Sequence, residues 1–329
     1  MIKTRVTSLL GIDYPIVGGT MMWITTPELV AAIAEAGGLG VLASAIYQSG
    51  EELGRAIDTI RELTDKPFAV NINLFPAMRP VDNNEYVDVL IDKGVKIVET
   101  SGHSAPEDLC GRFKKAGMTW IHKCVGVRYA RKVEDMGADI VTVVGYENGG
   151  ATGRLDIGTL VLVPRVVESV KIPVIGGGGV SDGRGFLAVR ALGAEGVIIG
   201  TRILATKEAP VHDNLKQALV NASELDTMLV MRSLNATHRV WANTAAKKCA
   251  ELESSGADPA EIFNIVSGIN ARRMYKEGDL DAGIVSCGQG VGLIHDIPTV
   301  KELFGRIISE AKDILKRLAA DRASPSAGA

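Results

Sequence analysis

The stretch PVIGGGGVSDGRGFLAVRALGAEGVIIGTR, residues 173–202, decides the fold of this chain. It predicts a strand over residues 173–175, a run of glycines, a helix over residues 185–192 and a second strand over residues 197–199. Glycine lets backbone N–H groups approach a ligand closely, and a helix N-terminus that follows adds partial positive charge. Two such turns, one βα unit apart, are typical of the phosphate site after the last two strands of a (β/α)8 barrel. The alternative is that the glycines only permit tight turns.

The composition of the 329-residue chain is that of a globular protein, with 46% hydrophobic and 23% charged residues. Its formal net charge of -3 offers no electrostatic surface for nucleic acid or an anionic membrane. No apolar run approaches the ~18 residues of a membrane span, and the N-terminus lacks the apolar region of a signal peptide. We therefore expect a cytoplasmic protein. The cysteines lie far apart without a C-x-x-C pair, so neither a metal site nor a redox pair is predicted.

Short β-branched runs alternate with amphipathic stretches along the first two thirds of the chain, which predicts βα units and a parallel sheet. Eight strands are predicted, the number of a closed barrel, at residues 15–17, 39–42, 68–72, 96–100, 119–123, 140–144, 173–175 and 197–199. Helices are predicted over residues 27–36, after Thr26, and over residues 106–116, with Ser104 as N-cap. An open doubly wound sheet is the alternative, but no G-x-G-x-x-G follows the first strand.

The regular alternation of strands and helices ends after the eighth predicted strand. Residues 211–282 have a largely helical pattern without strand-like runs, and the last barrel helix is predicted only at residues 300–318. We therefore predict an α/β fold with a barrel domain over residues 1–210 and 283–320. Residues 211–282 would form a helical substrate or lid domain over the C-terminal face of the barrel, and residues 321–329 a disordered tail.

Candidate site residues lie at the C-terminal ends of the predicted strands, where barrel enzymes place their chemistry. The amide of Asn71 can donate and accept toward a planar heterocycle, Lys123 offers positive charge, and Met21 offers a polarisable apolar surface. Each has a structural alternative, namely a helix cap for Asn71, a salt bridge for Lys123 and core packing for Met21. His103 follows the fourth strand and is either catalytic or a surface residue. His122 alternates with Lys123, so it is expected to lie between sheet and helices.

Motifs along nearly the whole chain resemble those of the nitronate monooxygenase family. This family consists of FMN-dependent (β/α)8 enzymes and includes NADH:quinone reductases and flavin-dependent enoyl-ACP reductases. The segments that carry the resemblance are YPIVGGTMMW, AGGLGVLAS, PFAVNINLFP, ETSGH, IHKCVGVRYA, GADIVTVVGYENGG, PVIGGGGVSDGRG, ALGAEGVIIGTRILATKE and MRSLNATHRV.

The resemblance implies FMN as cofactor, with residues in three roles. Those that would lie beside the flavin ring are Gly19, Thr20, Met21 and Gly150. Those that would hydrogen-bond its polar edge are Asn71 and Lys123. Those that would bind its phosphate are Gly178, Gly179, Gly200 and Thr201, with Arg202 as a further positive charge.

The chain departs from the family pattern at one position. Where the family usually has A-G-H-x-G, with the histidine as catalytic base in the monooxygenases, this chain has Ala151 in GGATG. A positioned base contributes roughly 10²–10⁴-fold, so its loss argues against deprotonation of a nitroalkane. The residues nearby that could substitute as catalytic groups are His103, Tyr146, Asn148 and Thr152.

The leading hypothesis is therefore an FMN oxidoreductase that passes a hydride from NAD(P)H to a quinone or an activated alkene. The loop at residues 74–80, LFPAMRP, is similar to a proline-containing loop of the family's NADH:quinone reductases and favours this hypothesis. One alternative is oxidation of alkyl nitronates with O2. A distant one is a flavin-free lyase or isomerase with Lys123 as a Schiff-base amine on a phosphorylated substrate. All three act on small molecules, and the sequence leaves a homodimer open.

Overall fold

A computed structural model describes residues 2–75, 82–102 and 104–323 of the chain. His103 and most of the proline-containing loop lie outside the described residues. Within them, eight parallel strands form one sheet, in which each strand pairs with its sequence neighbours around the barrel. Their bounds are β1 Ile16–Gly18, β2 Gly40–Ala43, β3 Phe68–Asn73, β4 Ile97–Ser101, β5 Thr119–Cys124, β6 Ile140–Val144, β8 Val174–Gly177 and β9 Gly196–Ile199.

The sheet closes on itself between its first and second strands. Val17 forms a parallel bridge with Leu39 just before β2, and the Leu39 N–H donates to the Ile16 carbonyl oxygen at 2.9 Å. The predicted (β/α)8 barrel is therefore confirmed.

Helices cover the outside of the barrel and form much of the segment that follows β9. Their bounds are α1 Arg5–Leu10, α2 Pro27–Glu35, α3 Gly50–Leu63, α4 Asn83–Asp92, α5 Cys110–Lys115, α6 Val127–Asp135, α7 Thr159–Val167, α8 Gly183–Ala191, α9 Thr201–Leu204, α10 Asp213–Val220, α11 Thr244–Ser255, α12 Pro259–Val266, α13 Gly268–Glu277 and α14 Val300–Ala323. None of the helices in the described ranges is long and apolar enough to span a bilayer.

The prediction that Ser104 caps a helix starting at residue 106 is wrong. The N–H groups of Leu109 and Cys110 both donate to the carbonyl oxygen of Pro106, at 3.0 Å each. These bonds form a turn before the helix, so α5 begins at Cys110, with Leu109 at the N-cap position.

The interior of the barrel is apolar near the N-terminal ends of the strands and polar near their C-terminal ends, which we call the mouth. Ala69, Ile97 and Ile121 belong to one buried cluster inside the barrel, and side chains of α1 complete this cluster at its N-terminal end. Because strand side chains alternate, the residues two positions further along these strands also point inward. These residues are Asn71, Glu99 and Lys123.

The segment over residues 211–282 is largely helical, as predicted, but the expectation that it has no strands is wrong. It contains β10 Thr227–Val230 and β11 His238–Trp241, which pair antiparallel, and β11 pairs further with β7 Gly150–Ala151. Both strands of the segment are only four residues long, and one of the partners lies far away in sequence. Tertiary pairing therefore forms this sheet, and a local pattern of four residues is too short to predict it.

Candidate active site

A buried carboxylate organises the polar layer at the mouth of the barrel. The Glu99 side chain is fully buried, and its Oε1 accepts hydrogen bonds from Thr20 Oγ1 at 2.7 Å and Asn71 Nδ2 at 2.8 Å. Asn71 Nδ2 also lies 3.1 Å from Ser101 Oγ. Asn71 is therefore held by β4 and does not cap a helix. Glu99 thus joins β3 and the segment after β1 to β4.

Sequence reasoning missed Glu99, although a signal for it was present. Its position two residues after the inward-facing Ile97 places it on the inner face of β4, next to Asn71 in the strand register. In the described part of the chain, Glu99 Oε2 has no hydrogen-bond partner. A buried polar atom without a partner is costly, so this oxygen marks a place where a ligand or water completes the layer.

Lys123 lies on the strand next to Glu99 and has no anionic partner among the residues that the structure describes. It pairs in register with Ser101 of β4 and Thr142 of β6, and its side chain is half-buried. No ion pair or hydrogen bond joins it to another described residue, so the salt-bridge alternative is not supported. The buried Thr142 Oγ1 also lacks a partner within the described ranges. The ammonium group of Lys123 and the hydroxyl of Thr142 are therefore available to bind a polar ligand.

His122 lies on the outer face of the same strand, as the alternation predicts. Its Nδ1 is 2.8 Å from Thr100 Oγ1, which also accepts a hydrogen bond from Trp120 Nε1 at 2.7 Å. Burial lowers the pKa of His122 to about 4, so the imidazole is neutral at pH 7. His122 is a structural residue.

The two glycine turns present backbone N–H groups that donate to no acceptor in the described part of the protein. Gly178 and Gly179 have φ values of 107° and 73°, and a Cβ on Gly178 would lie 2.5 Å from Thr159 Oγ1. Only glycine fits there without strain. In the described ranges, the N–H groups of Gly178, Gly179, Gly200 and Thr201 donate to no protein acceptor. Such a set of donors suits the oxygens of a phosphate group.

The start of the chain meets the second of these turns. The Gly19 N–H donates to the Ile199 carbonyl oxygen at 2.8 Å, and a Cβ on Gly19 would lie 3.5 Å from the Gly200 Cα. Met21 Sδ lies 4.0 Å from the position of a Cβ on Gly200. The structure therefore brings together the predicted residues of β1, β3 and β9 at one end of the barrel.

Arg202 does not extend this set of donors, which corrects the sequence-based expectation. Its side chain is buried, and its Nη2 lies 2.6 Å from Asp296 Oδ1. Its Nη1 donates to the carbonyl oxygens of Ala205 and Asp296 at 3.1 and 3.2 Å. The guanidinium thus ties α9 to the segment before α14, and its charge is neutralised there.

The segment over residues 146–153 is clamped by an arginine that sequence reasoning also missed. The Arg239 guanidinium carbon lies 4.4 Å from the centre of the Tyr146 ring, and Arg239 Nε donates to the Tyr146 carbonyl oxygen at 3.1 Å. Its Nη1 donates to Thr227 Oγ1 at 3.0 Å. Arg239 is only 3% exposed, and its Nη2 has no partner among the described residues. β11 therefore holds Tyr146 in place.

The rest of that segment crosses the mouth of the barrel. Asn148 Nδ2 donates to the Ala151 carbonyl oxygen at 3.0 Å, which makes Asn148 a support for the turn. A Cβ on Gly153 would lie 3.4 Å from the Val125 Cβ, just beyond the end of β5. The buried Thr152 hydroxyl finds no partner within the described part of the chain. Three of the predicted catalytic residues are thus in one segment, and two of them have structural contacts.

Comparison with known proteins extends over nearly the whole chain. The family model described as nitronate monooxygenase matches residues 3–310. The enzyme of Rhodococcus jostii named (3aS,4S,5R,7aS)-5-hydroxy-7a-methyl-1-oxo-octahydro-1H-indene-4-carboxyl-CoA dehydrogenase is 34% identical, over 98% of this chain and 99% of that one.

Solved structures of related proteins match equally well. FabK of Thermotoga maritima is 39% identical with a TM-score of 0.90, over 97% of this chain and 99% of that one. The nitroalkane oxidase of Streptomyces ansochromogenes is 27% identical with a TM-score of 0.82, over 96% and 100%. These likenesses agree with the motifs and with the barrel. The chain is therefore an oxidoreductase of the nitronate monooxygenase family.

Proposed function

We propose that this chain is an FMN-dependent oxidoreductase that uses NAD(P)H to reduce an activated alkene, with a quinone as a further acceptor. The observation that carries the proposal is the combination, at the same end of the barrel, of a polar layer and two turns whose N–H groups have no acceptor among the described residues. FMN has a phosphate at one end and a planar ring with a polar edge at the other. Both ends find donors of the right kind in this arrangement.

Each residue set has a distinct task in the proposed complex. The N–H groups of Gly178, Gly179, Gly200 and Thr201 hold the phosphate. Gly19, Thr20, Met21 and Gly150 lie beside the ring, and Asn71 and Lys123 face its polar edge. Because Lys123 lacks a carboxylate partner in the described ranges, its charge can stabilise negative charge on the ring. The bound cofactor supplies two-electron hydride chemistry, which the protein side chains cannot perform.

The choice of an activated alkene rests on Ala151 and on the relatives. Ala151 itself carries no acid–base group, so a base for nitroalkane deprotonation would have to come from another residue. FabK, an enoyl reductase, and the CoA-ester dehydrogenase of Rhodococcus jostii both support a substrate in which a carbonyl or thioester activates neighbouring carbons. Reduction of such an alkene adds a hydride at the β carbon and a proton at the α carbon. The protein must therefore hold the carbonyl and deliver one proton.

Oxidation of alkyl nitronates with O2 is the second candidate. The family model and the likeness to the nitroalkane oxidase of Streptomyces ansochromogenes favour it. A nitronate is already deprotonated, so this reaction does not need a base at position 151.

One panel of assays tests these proposals on the purified protein. We expect a flavin absorbance spectrum, FMN on release of the cofactor, and oxidation of NADH or NADPH that depends on an enone, an enoyl thioester or a quinone. No NAD(P)H oxidation with any acceptor would overturn the proposal. Oxygen uptake with propionate 3-nitronate alone would establish the second candidate. A colourless protein with a substrate trapped on Lys123 by borohydride would support the flavin-free alternative.

A further inference from the structure

A histidine lies on the strand next to Ala151, at the position directly opposite. We propose that His238 of β11 is the proton-transferring residue of this active site, in place of the histidine that the family usually has at position 151. The inference deepens the proposed function and rests on it for the identity of the substrate. The role of His238 as an acid and base can nevertheless be tested without any redox reaction.

The strand register brings His238 and Ala151 together. They are Cα partners in the antiparallel pair of β7 and β11. The Thr152 N–H donates to the Thr237 carbonyl oxygen at 3.1 Å, so that neighbouring pair is a hydrogen-bonded one. Because the two kinds of pair alternate, the pair of His238 and Ala151 is not hydrogen-bonded, and its Cα atoms approach to about 4.5 Å. Directly opposite side chains lie on the same face of the sheet.

The imidazole and a side chain at position 151 therefore extend from the same face of the small sheet. This sheet lies at the mouth of the barrel, since a Cβ on Gly153, two residues after β7, would lie 3.4 Å from the Val125 Cβ beyond the end of β5. Arg239, the next residue of β11, fixes the strand to Tyr146. The small methyl group of Ala151 leaves space beside it, which a histidine at both positions would crowd. An alanine at position 151 is thus compatible with an imidazole that enters from β11.

The orientation of the His238 ring suits a proton-transferring group. Its Nδ1 lies 2.6 Å from the Ala236 carbonyl oxygen, which can only accept a hydrogen bond. Nδ1 therefore carries a proton, and Nε2 is the nitrogen whose protonation changes. A carbonyl oxygen that fixes one ring nitrogen in this way orients the other for chemistry. The side chain is half-buried, so its proton can exchange with solvent.

The other described histidines lie in places that do not suit this role. His122 is buried behind the barrel strands, and His212 caps α10 by accepting a hydrogen bond from the Asn214 N–H at 3.1 Å. His295 is exposed on the segment before α14.

The proposed step balances without a further reactant. NAD(P)H is oxidised to NAD(P)+, and the hydride that it supplies forms a C–H bond at the β carbon of the alkene. The π electron pair moves to the α carbon and the carbonyl, which leaves an enolate. The α carbon then takes the proton from His238 Nε2, and the neutral imidazole regains a proton from solvent. The reverse proton movement is the removal of an α proton from a saturated carbonyl or nitro compound.

Exchange of an α proton for deuterium isolates that proton movement from electron transfer. The purified protein is incubated with nitroethane in D2O without NAD(P)H, and loss of the α proton is followed by NMR. The variants are His238→Gln, the double variant His238→Ala with Ala151→His, and the control His295→Gln. FMN affinity and thermal stability are measured for each variant. The pH dependence of exchange is recorded for the wild type and for His238→Gln.

We expect His238→Gln to lower the exchange rate by ~10²–10⁴-fold with FMN affinity unchanged. We expect the double variant to recover exchange, because the imidazole returns from position 151, and His295→Gln to match the wild type. Exchange by the wild type should rise with pH through the titration of one group, and His238→Gln should lack that rise.

Two outcomes overturn the inference, namely equal exchange by the wild type and His238→Gln, or no exchange by the wild type above the buffer rate. If no acceptor supports NAD(P)H oxidation while His238→Gln abolishes exchange, the proposed function fails and the role of His238 stands.

Discussion

Two regions at the mouth of the barrel contribute to the candidate site by different means. The turns after β8 and β9 present main-chain N–H groups, and three of the four residues that supply them are glycines. The segment over residues 146–153 instead depends on side chains that reach it from β11. Main-chain N–H donors do not depend on side-chain identity, so they suit a cofactor that is the same throughout a family. Side chains can be replaced by mutation, so they suit a substrate that differs from one enzyme to the next. The predictions below test this division between anchoring the cofactor and selecting the reaction.

The largest effect is expected at Gly178. Replacement by alanine, Gly178→Ala, puts a Cβ 2.5 Å from Thr159 Oγ1 at a φ of 107°, so the turn must move. Loss of two charge-assisted hydrogen bonds to phosphate is worth about 4 kcal/mol, or ~10³-fold in FMN affinity. Fluorescence titration with FMN measures the change. Gly94→Ala is the matched control, because Gly94 also has a positive φ of 61° but lies far from both turns. Equal affinities in the two variants would refute an anchoring role for Gly178.

Low pH is expected to lower the free energy of unfolding through His122, which lies on a barrel strand outside both regions. Its folded-state pKa of about 4 lies below its ordinary value of about 6.5, so the unfolded chain binds the proton more readily. Stability is therefore full above pH ~6.5 and falls as the pH decreases toward 4, by on the order of 3 kcal/mol. Urea unfolding at a series of pH values measures this slope. His122→Gln should flatten it, and an unchanged slope would show that another group causes the acid sensitivity.

Loss of Arg239 should slow turnover without weakening the binding of FMN to the turns after β8 and β9. Arg239→Met removes its contact with the Tyr146 ring and two hydrogen bonds, so we expect unfolding to become easier by about 2 kcal/mol. Turnover should fall because residues 146–153 lose their support, whereas FMN affinity should stay unchanged. Arg154→Met, at the exposed position directly after this segment, is the control. If Arg239→Met also lowered the affinity for FMN, the two regions would not have separate roles in cofactor binding and in the reaction.

The smallest effect is expected at Lys123, which lies on β5 outside both regions and which we propose to face the polar edge of the flavin ring. Lys123→Met should lower the two-electron reduction potential of bound FMN by roughly 30 mV, about 1.4 kcal/mol, because a cation no longer stabilises the reduced ring. Lys123→Arg keeps the charge and should keep the potential. Spectroelectrochemical titration distinguishes these results, and an identical potential in Lys123→Met and the wild type would remove Lys123 from the ring edge.

The same division explains how far sequence reasoning could go. The two turns are local features of residues 173–202, and the alternation along β3, β4 and β5 identifies Asn71 and Lys123 as inward-facing. Glu99 follows the same rule and could have been found by applying it to β4. Such features need only the order of residues within one strand or turn.

Arg202, Arg239 and His238 could not be placed in that way. Arg202 starts a helical turn, where strand alternation does not apply, and its partner Asp296 comes from a distant segment. The register between β7 and β11 joins segments separated by several barrel elements, and each strand is too short to show its own pattern. The replacement of a histidine at position 151 is visible in the sequence, but the residue opposite it becomes visible only through the fold.

The pairing of β7 with β11 also has an evolutionary consequence. β11 belongs to the segment that follows the last barrel strand, and in this chain it shares one small sheet with position 151. A substitution within β11 can therefore change the side chains beside position 151 without altering any strand of the barrel. If these side chains select the reaction, as we propose, mutation of one four-residue strand is enough to change the chemistry, while the glycine turns after β8 and β9 keep their sequence.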